Sequence, residues 1–199
     1  MTLVLLGTQN NSFHRLLEEV QKNIDNGNIK DEVIVQKGYT KFESPDMKIY
    51  DQVSAEKMKE LVKQADLIIT HGGVGSIITA IERGKKVIAV PRLKKYKEHV
   101  NDHQLDIINS FNDAGYIIGI QDVSELPKAL EMAKKFIPQK YVQNTGKILQ
   151  IVSDFIDNHW QISQNFYIYL LQKKHIIDMI KENENYEDKK ELVKKNDRI

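Results

Sequence analysis

Six residues near the middle of the chain, His71-Gly72-Gly73-Val74-Gly75-Ser76, have the types and order of an anion-binding turn. Glycines let backbone amides approach a ligand closely, and a serine hydroxyl adds a neutral donor. The segment stands between Leu67-Ile68-Ile69, an uninterrupted apolar run, and Ile77, Ile78 and Ile81, which recur at helical spacing. The turn therefore opens into a helix N-terminus, where free N–H groups and the helix dipole attract phosphate. One such terminus contributes about 0.3–1 kcal/mol towards an anion, so other loops must add to it. Ser76 can act as the helix N-cap, as a donor to a phosphate oxygen, or as both. His71 reads either as a core histidine with its hydrogen bonds satisfied or as a member of the site. The glycines themselves have two competing readings. One is a tight turn that needs positive φ. The other is a dinucleotide fingerprint, which Ile78 disfavours by standing where its third glycine belongs.

A second set of chemically able residues follows. Arg92, Lys94, Lys95, Lys97 and, when charged, His99 make the segment 92–99 strongly basic. Such a loop is solvated by default, but beside a phosphate turn it can neutralise a diphosphate or touch anionic lipid headgroups. His99, Asn101, His103 and Gln104 then bring donors and acceptors suited to sugar hydroxyls to the start of the next helix. His99 and His103 are four apart, but the H-E-x-x-H pattern is missing, so no metal site is expected.

The elements that must hold these groups alternate. Leu3–Leu6 reads as a buried strand ending in Gly7-Thr8-Gln9, and Ser12 as the cap of a helix with Phe13, Leu16, Leu17 and Val20 inward. Val33–Val35 is a second strand and residues 48–50 a weaker third. Ser54 caps a helix bearing Met58, Leu61, Val62 and Ala65, which leads into the strand at Leu67. Gly84 suits the C-terminus of the helix after the glycine turn, and Val87–Val90 is the next strand. Leu105, Ile108 and Phe111 mark a further helix, and Tyr116–Ile120 a last strand. Ser124 caps a helix running through Leu126, Leu130, Ala133, Phe136 and Ile137, with Pro127 in its first turn. A final helix is expected over Ile148–Ile156. An aromatic stripe from Trp160 onward suits packing on the body, on a partner or at a membrane surface, before a charged end.

This alternation predicts an α/β fold with a mostly parallel, Rossmann-like sheet and helices on both faces. Ligands on such sheets bind beyond the carboxyl ends of the strands, where three loops converge: Gly7–Gln9, His71–Ser76 and Arg92–Gln104. The 29 basic and 28 acidic residues nearly cancel, so no global field favours nucleic acid. Cysteine is absent, which removes disulfides, thiolate metal sites and thiol nucleophiles. No run of about 18 apolar residues is present to span a membrane.

With the two segments in tandem, His71–Ser76, Gly84-Lys85-Lys86, Val90-Pro91-Arg92 and His99-Val100-Asn101-Asp102-His103-Gln104 resemble the sugar-nucleotide-binding half of GT-B glycosyltransferases. The similarity is strongest to the single-domain branch. That branch holds the PssE-type subunits of bacterial capsule and exopolysaccharide synthesis, and the small soluble subunit of the split dolichol-pathway N-acetylglucosaminyltransferase. It covers residues 1–157 and leaves 158–199 as a helical, charged extension.

The resemblance implies a hexosyltransferase subunit that takes a UDP-sugar donor and needs no cofactor. Gly72, Gly73, Gly75 and Ser76 would approach the diphosphate, with His71 and Arg92 beside them. Asn101, Asp102, His103 and Gln104 would face the hexose, and Gly7, Thr8 and Gln9 would border the cleft. Thr79 stands where many relatives carry an acidic residue for the ribose hydroxyls, and a threonine bonds them less strongly. His99 and His103 are the local candidates for general base, unless a partner supplies it. The implied partner is a membrane-anchored PssD-like subunit that binds a lipid-linked saccharide acceptor. The chain is then cytoplasmic, peripheral to the inner face of the membrane through that partner. A non-catalytic enhancer or scaffold of such an enzyme is the alternative; a two-domain sugar epimerase would need a longer chain.

Overall fold

The structure is a computed structural model, and residues 1–141 are described. The final helix expected over 148–156, the aromatic stripe and the division at 157 lie outside the described residues.

Six strands make one sheet: β1 (Thr2–Leu5), β2 (Val33–Gln36), β3 (Met47–Tyr50), β4 (Leu67–His71), β5 (Lys86–Val90) and β6 (Ile118–Gly119). Their order is β3-β2-β1-β4-β5-β6, and every pairing is parallel. Among the described residues four helices connect them, α1 (His14–Asp25), α2 (Ala55–Gln64), α3 (Val74–Ile81) and α4 (His103–Asp113), and α5 (Leu126–Lys135) follows β6. Apolar runs such as Leu3–Leu6 follow from burial on both faces. Val4 and Leu6 pack with Phe13, Leu16 and Leu17 of α1 and with Leu126 and Leu130 of α5. Leu3 and Leu5 pack on the other face with Leu61 of α2, Ile77 of α3 and Ile108 of α4.

Several helix boundaries differ from the sequence reading. Ser54 does cap α2, accepting a bond from Lys57 N at 3.2 Å. Ser12 does not cap α1. Phe13 occupies that position without a side-chain cap, and its own N–H donates to Thr40 Oγ1 at 3.0 Å. Ser124 likewise yields to Asp122, which forms a capping box with Glu125 around a short 3-10 turn, Val123–Glu125, ahead of α5. Pro127 falls in the first turn of α5 as expected. Phe136 is already extended as the C-cap, so Phe136 and the exposed Ile137 stand outside the helix.

β6 is shorter than expected, and the Gly119 N–H donates to Asn112 Oδ1 at 3.0 Å. β3 forms at the edge of the sheet, with Met47 buried and Lys48 exposed. Gly84, at φ +64°, closes the turn after α3 in the left-handed conformation anticipated for it.

Candidate functional site

β1 and β4 are neighbours at the centre of the sheet, and the chain leaves them towards opposite faces. This is the topological switch point at which parallel sheets open a crevice. The loop Gly7–Gln9 leaves β1 on one side of it and the turn after His71 leaves β4 on the other.

Between them lies the His71 imidazole. A Cβ added at Gly7 would fall 2.7 Å from its Nε2, and one added at Gly73 would fall 2.3 Å away. Both glycines are therefore required by the ring, and Gly7 also holds φ +77°. His71 Nδ1 lies 3.3 Å from the Leu5 carbonyl, which suits a neutral ring protonated at that nitrogen. Burial, with the positive charge of Arg92 as the next cause, pushes its pKa down to about 4. His71 is thus a neutral core residue that forms the floor between the two loops.

α3 begins with Gly73 as N-cap, which makes Val74, Gly75 and Ser76 its first three residues. Ser76 is therefore not the cap, and among the described residues its hydroxyl has no hydrogen bond. A Cβ at Gly75 would meet nothing within 4 Å, and the residue is exposed. The amides of the first turn thus open onto space that nothing among the described residues fills. Thr79 is half-buried three residues beyond Ser76, and its carbonyl accepts from Arg83 Nη1 at 2.9 Å.

The Gly72 amide is already engaged. It donates to Gln104 Oε1 at 3.2 Å, and the same oxygen accepts from Arg92 N at 3.0 Å. Gln104 is buried and ties the ends of β4 and β5 to the start of α4, while Leu105 is only half-buried. It braces the backbone instead of presenting its carbonyl to a sugar. Arg92 departs further from expectation. Its side chain is buried, and its guanidinium donates to the carbonyls of Leu6 and Asn11, each at 2.7 Å, while lying over the Phe13 ring. Burial draws its pKa down to about 10. The cations this loop offers to solvent are Lys94, Lys95 and Lys97.

Asp102 precedes α4 without capping it; Oδ1 accepts from Lys94 N at 2.7 Å and closes the basic loop. His99 Nε2 is 3.3 Å from Gln9 Nε2, and its Nδ1 is 2.9 Å from Asn101 Oδ1. The His99 and His103 rings meet edge to face at 5.2 Å. His99, Asn101 and His103 therefore gather beside the β1 loop, where Thr8 and Gln9 are exposed.

Arg15 and Glu98 escaped the sequence reading. Arg15 Nε donates to Glu98 Oε1 at 2.7 Å and Nη2 to Oε2 at 3.0 Å, while Nη2 also reaches the Pro91 carbonyl at 2.7 Å. Glu98 is buried and accepts from Leu93 N. The available signal was a lone carboxylate inside a basic run and an arginine beside Phe13 and Leu16 on an apolar helix face.

Residues 1–159 match the glycosyltransferase family 28 C-terminal domain. The chain belongs to this family. Over 62 residues it is 32% identical to the human UDP-N-acetylglucosamine transferase subunit ALG13, and equally to the mouse protein. That stretch is 31% of the chain but spans only 5% of the length of either relative. An NMR solution structure of ALG13 superimposes with a TM-score of 0.52 at 18% identity, covering 75% of this chain and 93% of that one. This family 28 domain shares its α/β fold with that structure. No helix among the described residues is long and apolar enough to cross a membrane.

Proposed function

We propose that this family 28 domain is the donor-binding catalytic subunit of a two-component glycosyltransferase. It takes a UDP-sugar and transfers the hexose to a lipid-pyrophosphate-linked acceptor held by a membrane-anchored, PssD-like partner, in capsule or exopolysaccharide synthesis. The observation that carries this reading is the glycine turn after β4, with Gly75 unobstructed and Ser76 in the first turn of α3 at the switch point. The family membership and the name of the ALG13 relative support a UDP-sugar as donor and a subunit organisation.

In the reaction an acceptor hydroxyl attacks the anomeric carbon, its proton passes to a base, and UDP departs. Amides of Val74, Gly75 and Ser76 would stabilise the leaving diphosphate as preorganised donors. The base is His99, His103 or a group of the partner; His71, buried and neutral, is a support. By calorimetry, Ser76→Ala and Asn101→Ala should each weaken UDP-sugar binding about 3- to 10-fold, the worth of one net hydrogen bond. Unchanged affinity in both variants would defeat the assignment.

A second reading, a non-catalytic enhancer of the membrane partner, is favoured by Thr79, which offers the ribose no carboxylate. It is separated by thermal unfolding with UDP: a subunit with a nucleotide site is stabilised by ligand, and an enhancer without one is not.

A further inference from the structure

We propose that Arg15 and Glu98 form a latch that positions the sugar-facing half of the site, fixing the loop after β5 so that His99, Asn101 and His103 meet the donor hexose. This rests on the donor-binding reading above.

Residues 91–102 leave β5 and must turn back to start α4 at His103. Their regular structure is one short 3-10 turn, Lys94–Tyr96, followed by Lys97 at φ +58°, a left-handed conformation uncommon for a residue with a side chain. Local backbone preference does not hold such a segment. Its fixed points include Arg15 of α1 and Asn11 just before that helix. The Arg15 fork grips both Glu98 oxygens, which sets orientation as well as position. The same guanidinium holds the Pro91 carbonyl, and Glu98 turns back onto Leu93 N at 3.0 Å. The Tyr96 ring covers the guanidinium at 4.5 Å, and Asn11 Nδ2 donates to the Glu98 carbonyl at 3.2 Å. The residue after Glu98 is His99, which meets Gln9 across the crevice. The glycine turn makes none of these contacts; His71 and Gln104 hold it. Gln104 joins the two halves, since the oxygen that accepts from Gly72 N also accepts from Arg92 N, but Arg15 and Glu98 grip the loop after β5, so their loss should loosen the sugar half first.

Two variants test this in the full chain. Arg15→Lys keeps the charge but loses the fork, and Tyr96→Leu uncovers the guanidinium while leaving the ion pair in place. In the free protein, both should speed amide hydrogen exchange over 99–103 without changing it over 72–77. In calorimetry, Arg15→Lys should leave UDP affinity within about twofold while UDP-N-acetylglucosamine affinity, relative to UDP, falls about tenfold. Unchanged exchange over 99–103 in both variants overturns the latch, and so does equal weakening of UDP and UDP-sugar. If the wild-type chain binds neither ligand, the donor-binding reading and the latch's sugar-positioning role both fail. The exchange data still decide whether Arg15 and Glu98 hold the loop.

Discussion

The turn after β4 is held by what its residues lack, whereas the loop after β5 is held by charge buried against a helix far away in the chain. Gly7 and Gly73 leave room for one neutral ring, and the backbone closes around His71 through shape and two neutral hydrogen bonds, His71 Nδ1 to the Leu5 carbonyl and Gly72 N to Gln104. Residues 91–98 carry full side chains and depend on the Arg15–Glu98 pair. The first arrangement has little dependence on salt and is local to two strand ends. The second concentrates its stability in a few desolvated groups, so one deletion is expensive. The difference shows how one crevice can shape an anion-facing wall around a neutral ring beside a wall placed largely by buried charge.

The sharpest break of this comparison is Glu98→Ala, which removes both oxygens gripped by the buried Arg15 fork and leaves it Asp122, 3.5 Å from Nη1. It should destabilise the chain by about 3–5 kcal/mol in urea unfolding. A loss below about 1 kcal/mol would mean that the pair contributes no more than a surface one.

Next comes pH. The His71 imidazole titrates at its ordinary 6.5 in the unfolded chain and at about 4 in the folded one. Between those values unfolding takes up a proton, so stability is full above about 6.5 and falls by about 3 kcal/mol as pH drops to 4. Urea midpoints measured at pH 7 and 4.5 should converge in His71→Asn; an unaltered pH slope would show that His71 is not the titrating group.

Gly73→Ala should cost about 1–3 kcal/mol by overpacking, because φ at Gly73 is −77° and the clash with His71 is the sole penalty. A second change, His71→Ala, should relieve it. Additive losses in that double-mutant cycle would separate the glycine from the ring.

Gly75→Ala has the smallest effect on stability and sharpens the contrast most. Its Cβ meets nothing, so helix propensity should stabilise the chain by up to about 1 kcal/mol. UDP affinity should nonetheless fall, since the methyl group enters the space reserved for the ligand. Undiminished affinity would make this glycine dispensable.

The strand, turn, helix and strand from Leu67 to Val90 were legible because every signal for them is local: an apolar run, glycines, a helical stripe and Gly84. The pairing of Arg15 with Glu98 was not, since α1 and the loop after β5 meet only once the topology is set. Arg92 misled for a related reason. Its partners are the backbone carbonyls of Leu6 and Asn11, which no residue type announces. Ser12 had the chemistry of a cap, but the helix starts one residue later, where Phe13 has no side-chain oxygen to offer. Nor did the sequence announce that Gln104 Oε1 accepts from Gly72 N and Arg92 N, because a buried amide side chain can satisfy two backbone N–H groups as readily as it can meet a ligand.

Titration of the wild-type chain with UDP, followed residue by residue through backbone amide resonances, tests the central claim most directly. Saturable shifts centred on Val74, Gly75 and Ser76, with smaller ones at Gly7–Gln9, are the expected result. Saturable binding that leaves Val74–Ser76 unmoved, or no binding at all, would contradict it.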